Sequence, residues 1–111
     1  MGICRIWHGW TVPGNADAYE QLLRVEIFTG IAAQKIRGYR GIELLRREIG
    51  DLTEFVTIMQ FDSLESVREF AGPNYEAAVV PPSARTLLER YDTSSAHYEI
   101  RHTARSGGTA D

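Results

Sequence analysis

Apolar and polar positions alternate along parts of the chain and switch to helical spacing in others, which divides it into strand–helix–strand units. The run 3–12 is rich in strand-forming side chains and ends at a Pro-Gly turn signal. A helix is predicted after Asn15, which can cap its start, and a second strand over 39–48. The run 53–61 is almost continuously apolar or β-branched, which indicates a strand covered on both faces.

A second unit follows the 53–61 strand. Asp62 and Glu65 have the spacing of a capping box and predict a helix start, and Gly72-Pro73 ends that helix. A final strand is predicted over 95–102. Two such units in this order predict an α+β fold of the ferredoxin-like class, a four-stranded antiparallel sheet with helices on one face.

One domain is expected over residues 1–102. Residues 103–111 are small, polar and glycine-containing, which predicts a flexible C-terminal tail. A sheet with helices on one face leaves its other face open, and apolar side chains on that face need a cover. The same face of a second copy is the simplest cover, so the pattern predicts a homodimer.

Charge, hydropathy and cysteine content indicate which kinds of ligand and which cellular compartment are compatible with this sequence. Twelve basic and fifteen acidic residues give a net charge of −3, which disfavours nucleic acid as a ligand. The sequence has no apolar run near the roughly 20 residues of a membrane span and no recognisable secretory signal, so no membrane association is expected. The single cysteine, Cys4, fits a reducing compartment and predicts a cytoplasmic location.

Three stretches resemble the antibiotic biosynthesis monooxygenase family: RIWHGW near the start, FDSLESVREFAG after the third strand, and LLERY with HYEI near the end. The resemblance extends over roughly residues 3 to 102. It implies a homodimeric α+β barrel in which each subunit has a cleft between its sheet and its helices. Characterised members of that family include cofactor-independent oxygenases that oxidise aromatic polyketides and relatives that degrade haem. Many other members have no known activity, so the resemblance by itself implies no particular reaction.

The haem-degrading relatives share an Asn on the first strand, a Trp at the end of the third and a His on the next helical segment. In this sequence these positions fall on Trp7, on Phe61 and near Val80. Valine has no nitrogen, sulfur or phenolate donor for iron, which disfavours haem.

No cofactor or metal is expected. The three histidines, His8, His97 and His102, lack the spacing of a metal-binding helix, and no Gly-rich phosphate loop or G-x-S-x-G motif occurs. An oxygenase of this kind would deprotonate its substrate to an electron-rich enolate or phenolate that reacts with O₂. The protein would supply a base, a polar anchor and a dry aromatic pocket.

His8 and His97 are the candidate catalytic bases, because an unperturbed imidazole titrates near neutral pH. If the last strand runs antiparallel beside the first, His8 and the segment 97–99 are expected to be close. Each histidine also has a structural interpretation, as a half-buried residue held by a backbone group or as a member of a cross-strand pair.

Strand alternation assigns the aromatic residues to faces. Trp7 and Trp10 are three residues apart and therefore point to opposite sides of the sheet. The family resemblance implies that Trp7 lies in the cleft, which puts His8 and Trp10 on the open face, although alternation alone is equally compatible with the opposite assignment. We expect the segment 72–82 to cover the cleft as a short lid. The predicted substrate-binding residues are Trp7, Phe61, Tyr75, Val80 and Tyr98.

Three functions remain open from the sequence. The first is a cofactor-independent monooxygenase acting on a small aromatic or quinol-like substrate. The second is a non-catalytic dimer that binds a small ligand, and the third is a haem-degrading protein. Arg46 and Arg47 are expected to be solvated or to lie at a dimer edge, or one of them binds a substrate carboxylate.

Overall fold

An antiparallel sheet forms the centre of the molecule in the computed structural model, which describes residues 2–106. The strands are β1 (Ile3–Thr11), β2 (Tyr39–Ile49), β3 (Leu52–Phe61), β4 (Arg90–Tyr91) and β5 (Ala96–Glu99). Their order in the sheet is β2-β3-β1-β4, and β5 also pairs with β1. The predicted ferredoxin-like sheet is confirmed, but two short pieces, β4 and β5, form its last strand.

The division of the last strand has a clear origin in the register. Gly9 of β1 pairs with Tyr91, and Ile6 pairs with Ala96. Residues 92–95 therefore span the stretch of β1 that holds only Trp7 and His8. The surplus residues leave the ladder and bulge, as extra residues in one strand of a pair must.

Helices cover one face of this sheet. The first helical region comprises α1 (Pro13–Leu22), a π-helical turn (Leu23–Ile27) and α2 (Phe28–Ala33). The second comprises α3 (Leu64–Ala71) and the single turn α4 (Pro82–Arg85). Within residues 2–106, none of these helices is both long and apolar enough to cross a membrane.

Two predicted helix caps are wrong. Val12 occupies the N-cap of α1 without a side-chain cap, because Pro13 supplies the pre-set backbone of the first turn, and Asn15 donates to Leu87 O instead. Ser63 rather than Asp62 caps α3, since its Oγ accepts a hydrogen bond from Ser66 N at 3.2 Å. Asp62 is free to form an ion pair with Arg40.

Burial alternates strictly along β1. Its odd-numbered residues are buried under the helices, and its even-numbered residues are only partly buried on the other face. Two apolar clusters form the core between sheet and helices. One contains Ile3, Ile31, Met59, Phe61 and Val67; the other contains Ala16, Tyr19, Leu23, Phe55 and Ala84.

The face of the sheet away from the helices mixes apolar and charged groups. Ile58 and Val56 of β3 are half-buried there, and Leu45 of β2 is 46 % exposed. Glu54 and Arg47, direct partners across β2 and β3, form an ion pair at its end. The homodimer expected through this face stays a prediction, as does the 1–102 domain boundary. Part of the 103–111 tail lies outside the described residues.

Candidate functional site

A cavity lies between the sheet and the helices, with about 510 Å³ of empty space when its open mouth is included. Trp7, Thr57 and Met59 project into it from the sheet, and the helical region and residues 79–81 close the other sides. Its walls are mainly apolar and aromatic, so it suits a flat apolar ligand.

The π-helical turn shapes one wall of this cavity. Leu23 and Ile27 at its two ends both line the cavity, and Phe28 follows directly. A π-turn widens the helix by one residue and shifts which side chains face the sheet, and such turns are frequent at functional sites. The sequence predicted an ordinary helix in this region.

Arg5 is the charged residue of the site. It is only 3 % exposed, because it lies at an inward-facing position of β1 between Ile3 and Trp7. Its Nη1 donates to Tyr75 O at 2.6 Å and to His97 Nε2 at 2.9 Å, and its Nη2 donates to Ala77 O at 3.3 Å.

Burial alone lowers the pKa of Arg5 to about 10, so the guanidinium remains charged at neutral pH. Sequence reasoning did not select this residue. The sequence did contain a signal for it: Arg5 is a basic residue on the side of the first strand that is otherwise apolar, and such buried positions are normally apolar.

His97 lies opposite Arg5 on β5, as its direct partner in the ladder with β1. Burial and the neighbouring Arg5 charge lower the pKa of His97, and Glu76 opposes them more weakly. The ring is therefore neutral near pH 7, with Nε2 accepting the proton of Arg5 Nη1. Its Nδ1 is buried and has no hydrogen-bond partner among residues 2–106.

The segment 72–82, predicted to be a lid, is hydrogen-bonded to the residues between β4 and β5. Ala78 N donates to Thr93 O at 3.0 Å, and Ser95 N donates to Glu76 O at 2.8 Å. Arg5 adds two hydrogen bonds to carbonyl groups of the same segment. These contacts set the position of Val80, which lines the cavity.

Of the five predicted substrate-binding residues, two line the cavity, whereas Phe61, Tyr75 and Tyr98 do not. Trp7 and Val80 line the cavity, and Trp7 Nε1 donates to Asp92 O at 2.8 Å. Phe61 lies deeper, 1 % exposed, and packs on Phe70 with ring centroids 5.9 Å apart. Tyr75 lies beside Arg5, its ring edge-on to His97 at 5.0 Å.

His8 and Tyr98 lie on the opposite side of the sheet. His8 Nδ1 is 2.9 Å from Asp92 Oδ2, and its ring stacks on Trp10, as the assignment of both to the open face expected. Tyr98 pairs with Cys4 on that face and is 58 % exposed. The ladder places Arg5, not His8, beside His97, so the two candidate bases lie on different faces.

Arg46 and Arg47 also lie outside the cavity. Arg46 forms ion pairs with Asp17 and Glu20 of α1. Arg47 pairs with Glu54 across the open face. Within the described chain, no group of three His, Cys, Asp or Glu side chains is arranged to hold a metal ion.

Solved structures with this architecture include three informative ones. A candidate antibiotic biosynthesis monooxygenase from Bacillus cereus is 15 % identical with a TM-score of 0.65, and the alignment covers 98 % of this chain and all of that one. SnoaB, a cofactor-independent oxygenase from Streptomyces nogalater, is 20 % identical with a TM-score of 0.60, covering 95 % and 98 % of the two chains. A NIPSNAP family protein from Agrobacterium tumefaciens is 18 % identical with a TM-score of 0.60, covering 93 % and 89 %.

The chain has the fold of the antibiotic biosynthesis monooxygenases. No protein-family model and no curated protein matches its sequence. At these identities the likeness establishes the fold, and the NIPSNAP protein shows that the fold is not confined to one family. The fold alone therefore assigns no reaction to this chain, and the chemistry depends on the residues of the cavity.

Proposed function

We propose that this protein is a cofactor-independent monooxygenase of the antibiotic biosynthesis type, acting as a homodimer on a small, planar aromatic or quinol-like substrate. The observation that carries the proposal is Arg5, the charged side chain in the lining of a mainly apolar cavity, with His97 as its hydrogen-bond partner on the same face of the sheet. The apolar walls hold a flat ring and exclude water, and the polar pair is placed to act on a substrate oxygen. The likeness to the SnoaB fold supports the same chemistry.

His97 is the proposed proton acceptor. It lies on the cavity side of the sheet, and its lowered pKa keeps it neutral at the pH where a base is needed. The substrate O–H or C–H bond breaks, its proton goes to Nε2, and the electron pair stays on the substrate as an enolate or phenolate. Nε2 must release Arg5 Nη1 for this step, because a neutral imidazole has one acceptor nitrogen.

The oxidant is O₂, which reacts with this electron-rich anion. For a methylene carbon flanked by aromatic rings, one oxygen atom becomes the new carbonyl oxygen. The other leaves as water with the two hydrogens of the methylene group, so atoms and electrons balance without a cofactor. Trp7 and Phe28 on the cavity walls offer aromatic surfaces for the ring system.

Oxygen consumption with a panel of anthrones and quinols tests this proposal. Wild-type protein is expected to consume oxygen above background, and His97→Ala to lower turnover about 10²- to 10⁴-fold, the usual contribution of a positioned base. His8→Ala is the matched control, because His8 lies on the other face with Asp92. Equal losses in both variants would show that His97 is not the base.

A non-catalytic ligand-binding protein is the second candidate. The specific observation in its favour is the engagement of His97 Nε2 by Arg5, which leaves the neutral ring without a free acceptor. Wild-type protein that binds anthrones tightly but consumes no oxygen with any of them would establish this alternative. Haem degradation is tested separately by titration with haemin, and we expect no Soret shift, since Val80 provides no ligand for iron.

A further inference from the structure

The guanidinium of Arg5 is buried, and it forms no ion pair with an acidic residue in the part of the chain that the structure describes. Within residues 2–106, every ion pair formed by an arginine involves Arg24, Arg40, Arg46 or Arg47, and their side chains are at least one-third exposed. Arg5 instead contacts two carbonyl oxygens and a neutral imidazole. A buried cation normally requires a charged partner, because removing it from water is costly.

Arg5 also retains hydrogen-bonding capacity toward the cavity. A guanidinium carries five N–H donors, and the three hydrogen bonds of Arg5 do not use all of them. Arg5 is the single charged side chain among the described residues that line the cavity. Thr57 and Ser95 are polar groups on the same lining, but neither carries a charge.

The packing around the guanidinium fixes its position. Its Cζ lies 5.5 Å from the centre of the Phe70 ring, and the Tyr75 and Ala77 carbonyls hold its Nη atoms. A charged donor held in this way needs little rearrangement when it meets an oxygen of a ligand. The flat fork of an arginine is suited to the two oxygens of a carboxylate or to one ionised phenol oxygen.

We propose that Arg5 binds an anionic oxygen of the ligand, so that the cavity selects acidic planar aromatics over neutral ones of the same shape. This inference rests on the proposed function insofar as the cavity is taken to hold an aromatic molecule. The anionic oxygen is a carboxylate present before binding or a phenol or enol oxygen ionised in the site. In either form it supplies the negative charge that this part of the core lacks.

Binding of 2-naphthoate and 2-naphthamide, measured by calorimetry at neutral pH, tests the proposal. The two probes have nearly the same shape and differ in charge. Wild-type protein is expected to bind naphthoate about 10- to 100-fold more tightly, the range of a charge-assisted hydrogen bond in a desolvated site. Arg5→Met should remove this preference, whereas Arg24→Met, the same substitution at an exposed arginine, should retain it.

A second probe, 4-nitro-1-naphthol, distinguishes the source of the charge. The probe is used at a mildly acidic pH, where most of the free naphthol is un-ionised. Because its ionised form absorbs visible light, binding that favours the phenolate is then seen directly as an increase in that band. An increase with wild-type protein that is absent with Arg5→Met assigns Arg5 to an ionised phenol. A preference confined to naphthoate assigns it to a carboxylate.

The outcomes separate this inference from the proposed function. Naphthoate and naphthamide bound equally by wild-type protein would overturn the role of Arg5 and leave the aromatic cavity in place. No binding of either probe would overturn both. If circular dichroism shows that Arg5→Met does not fold, Arg5→Lys replaces it; an unchanged preference in a folded Arg5→Lys would contradict recognition by the guanidinium fork.

Discussion

Replacing Phe55 with alanine should remove a large part of the stability of this protein. Phe55 lies in the middle of β3, its side chain is 0 % exposed, and its ring meets Tyr19 edge-on with centroids 4.9 Å apart. An aromatic side chain of this kind buries roughly 150–250 Å². At about 25 cal/mol per Å², with the alanine Cβ still buried, the loss is about 3–5 kcal/mol, which agrees with measured Phe-to-Ala changes in cores.

Urea denaturation followed by circular dichroism measures this effect. The protein concentration must be the same for all variants, since the unfolding of a dimer depends on concentration. Val25→Ala is the control, because Val25 is 54 % exposed on the outer side of the π-helical turn, and its expected effect is within about 0.5 kcal/mol. A loss below about 1 kcal/mol for Phe55→Ala would refute the assignment of this ring to the core.

Three further predictions follow from the same structure. Gly9→Ala places a Cβ 2.6 Å from the Trp7 ring, so it should lower the free energy of unfolding by about 1–3 kcal/mol and weaken the binding of naphthoate. If unfolding titrations and binding measurements both show no change, the close packing of Gly9 against Trp7 is wrong. Because the pKa of His97 is lowered in the folded protein, the unfolded chain binds a proton more readily than the folded one. The free energy of unfolding should therefore fall as the pH drops from about 6.5 toward the folded pKa. His97→Gln should flatten that decline in melting curves recorded at different pH values. Ile58→Lys on the open face should convert the proposed dimer to monomers, because an interface of about 2,000 Å² or more does not tolerate a buried unpaired ammonium group. Sedimentation at micromolar concentration measures this change. A wild-type protein that sediments as a monomer would refute the dimer.

The faces of the strands could be predicted well from the sequence. In β1 the alternation of side chains predicted that Trp7 and Trp10 face opposite sides, the family resemblance assigned Trp7 to the side of the helices, and the structure agrees. Alternation is a local property of extended backbone, so it needs no knowledge of neighbouring strands. The order of strands and helices is local in the same sense, and it was sufficient for the ferredoxin-like class.

The candidate site could be predicted only in part. The Gly-Pro and Pro-Pro pairs predicted a loop over 72–82, and residues 79–81 of that segment line the cavity; Val80 itself was selected through the family resemblance. The π-helical turn was missed, since the spacing of Leu23 and Ile27 is also compatible with an ordinary helix. The cap at Ser63 was missed because Asp62, one residue earlier, has an equally favourable side chain for that position.

The partners of charged side chains were decided by the tertiary structure. Arg5 and His97 are 92 positions apart in the sequence, and they meet because β5 pairs with β1 in one particular register. That register changes across residues 92–95, which places Asp92 beside His8 and Ser95 against the cavity. Local patterns determine which face of a strand a residue occupies, but only the pairing of distant strands determines its neighbour on that face.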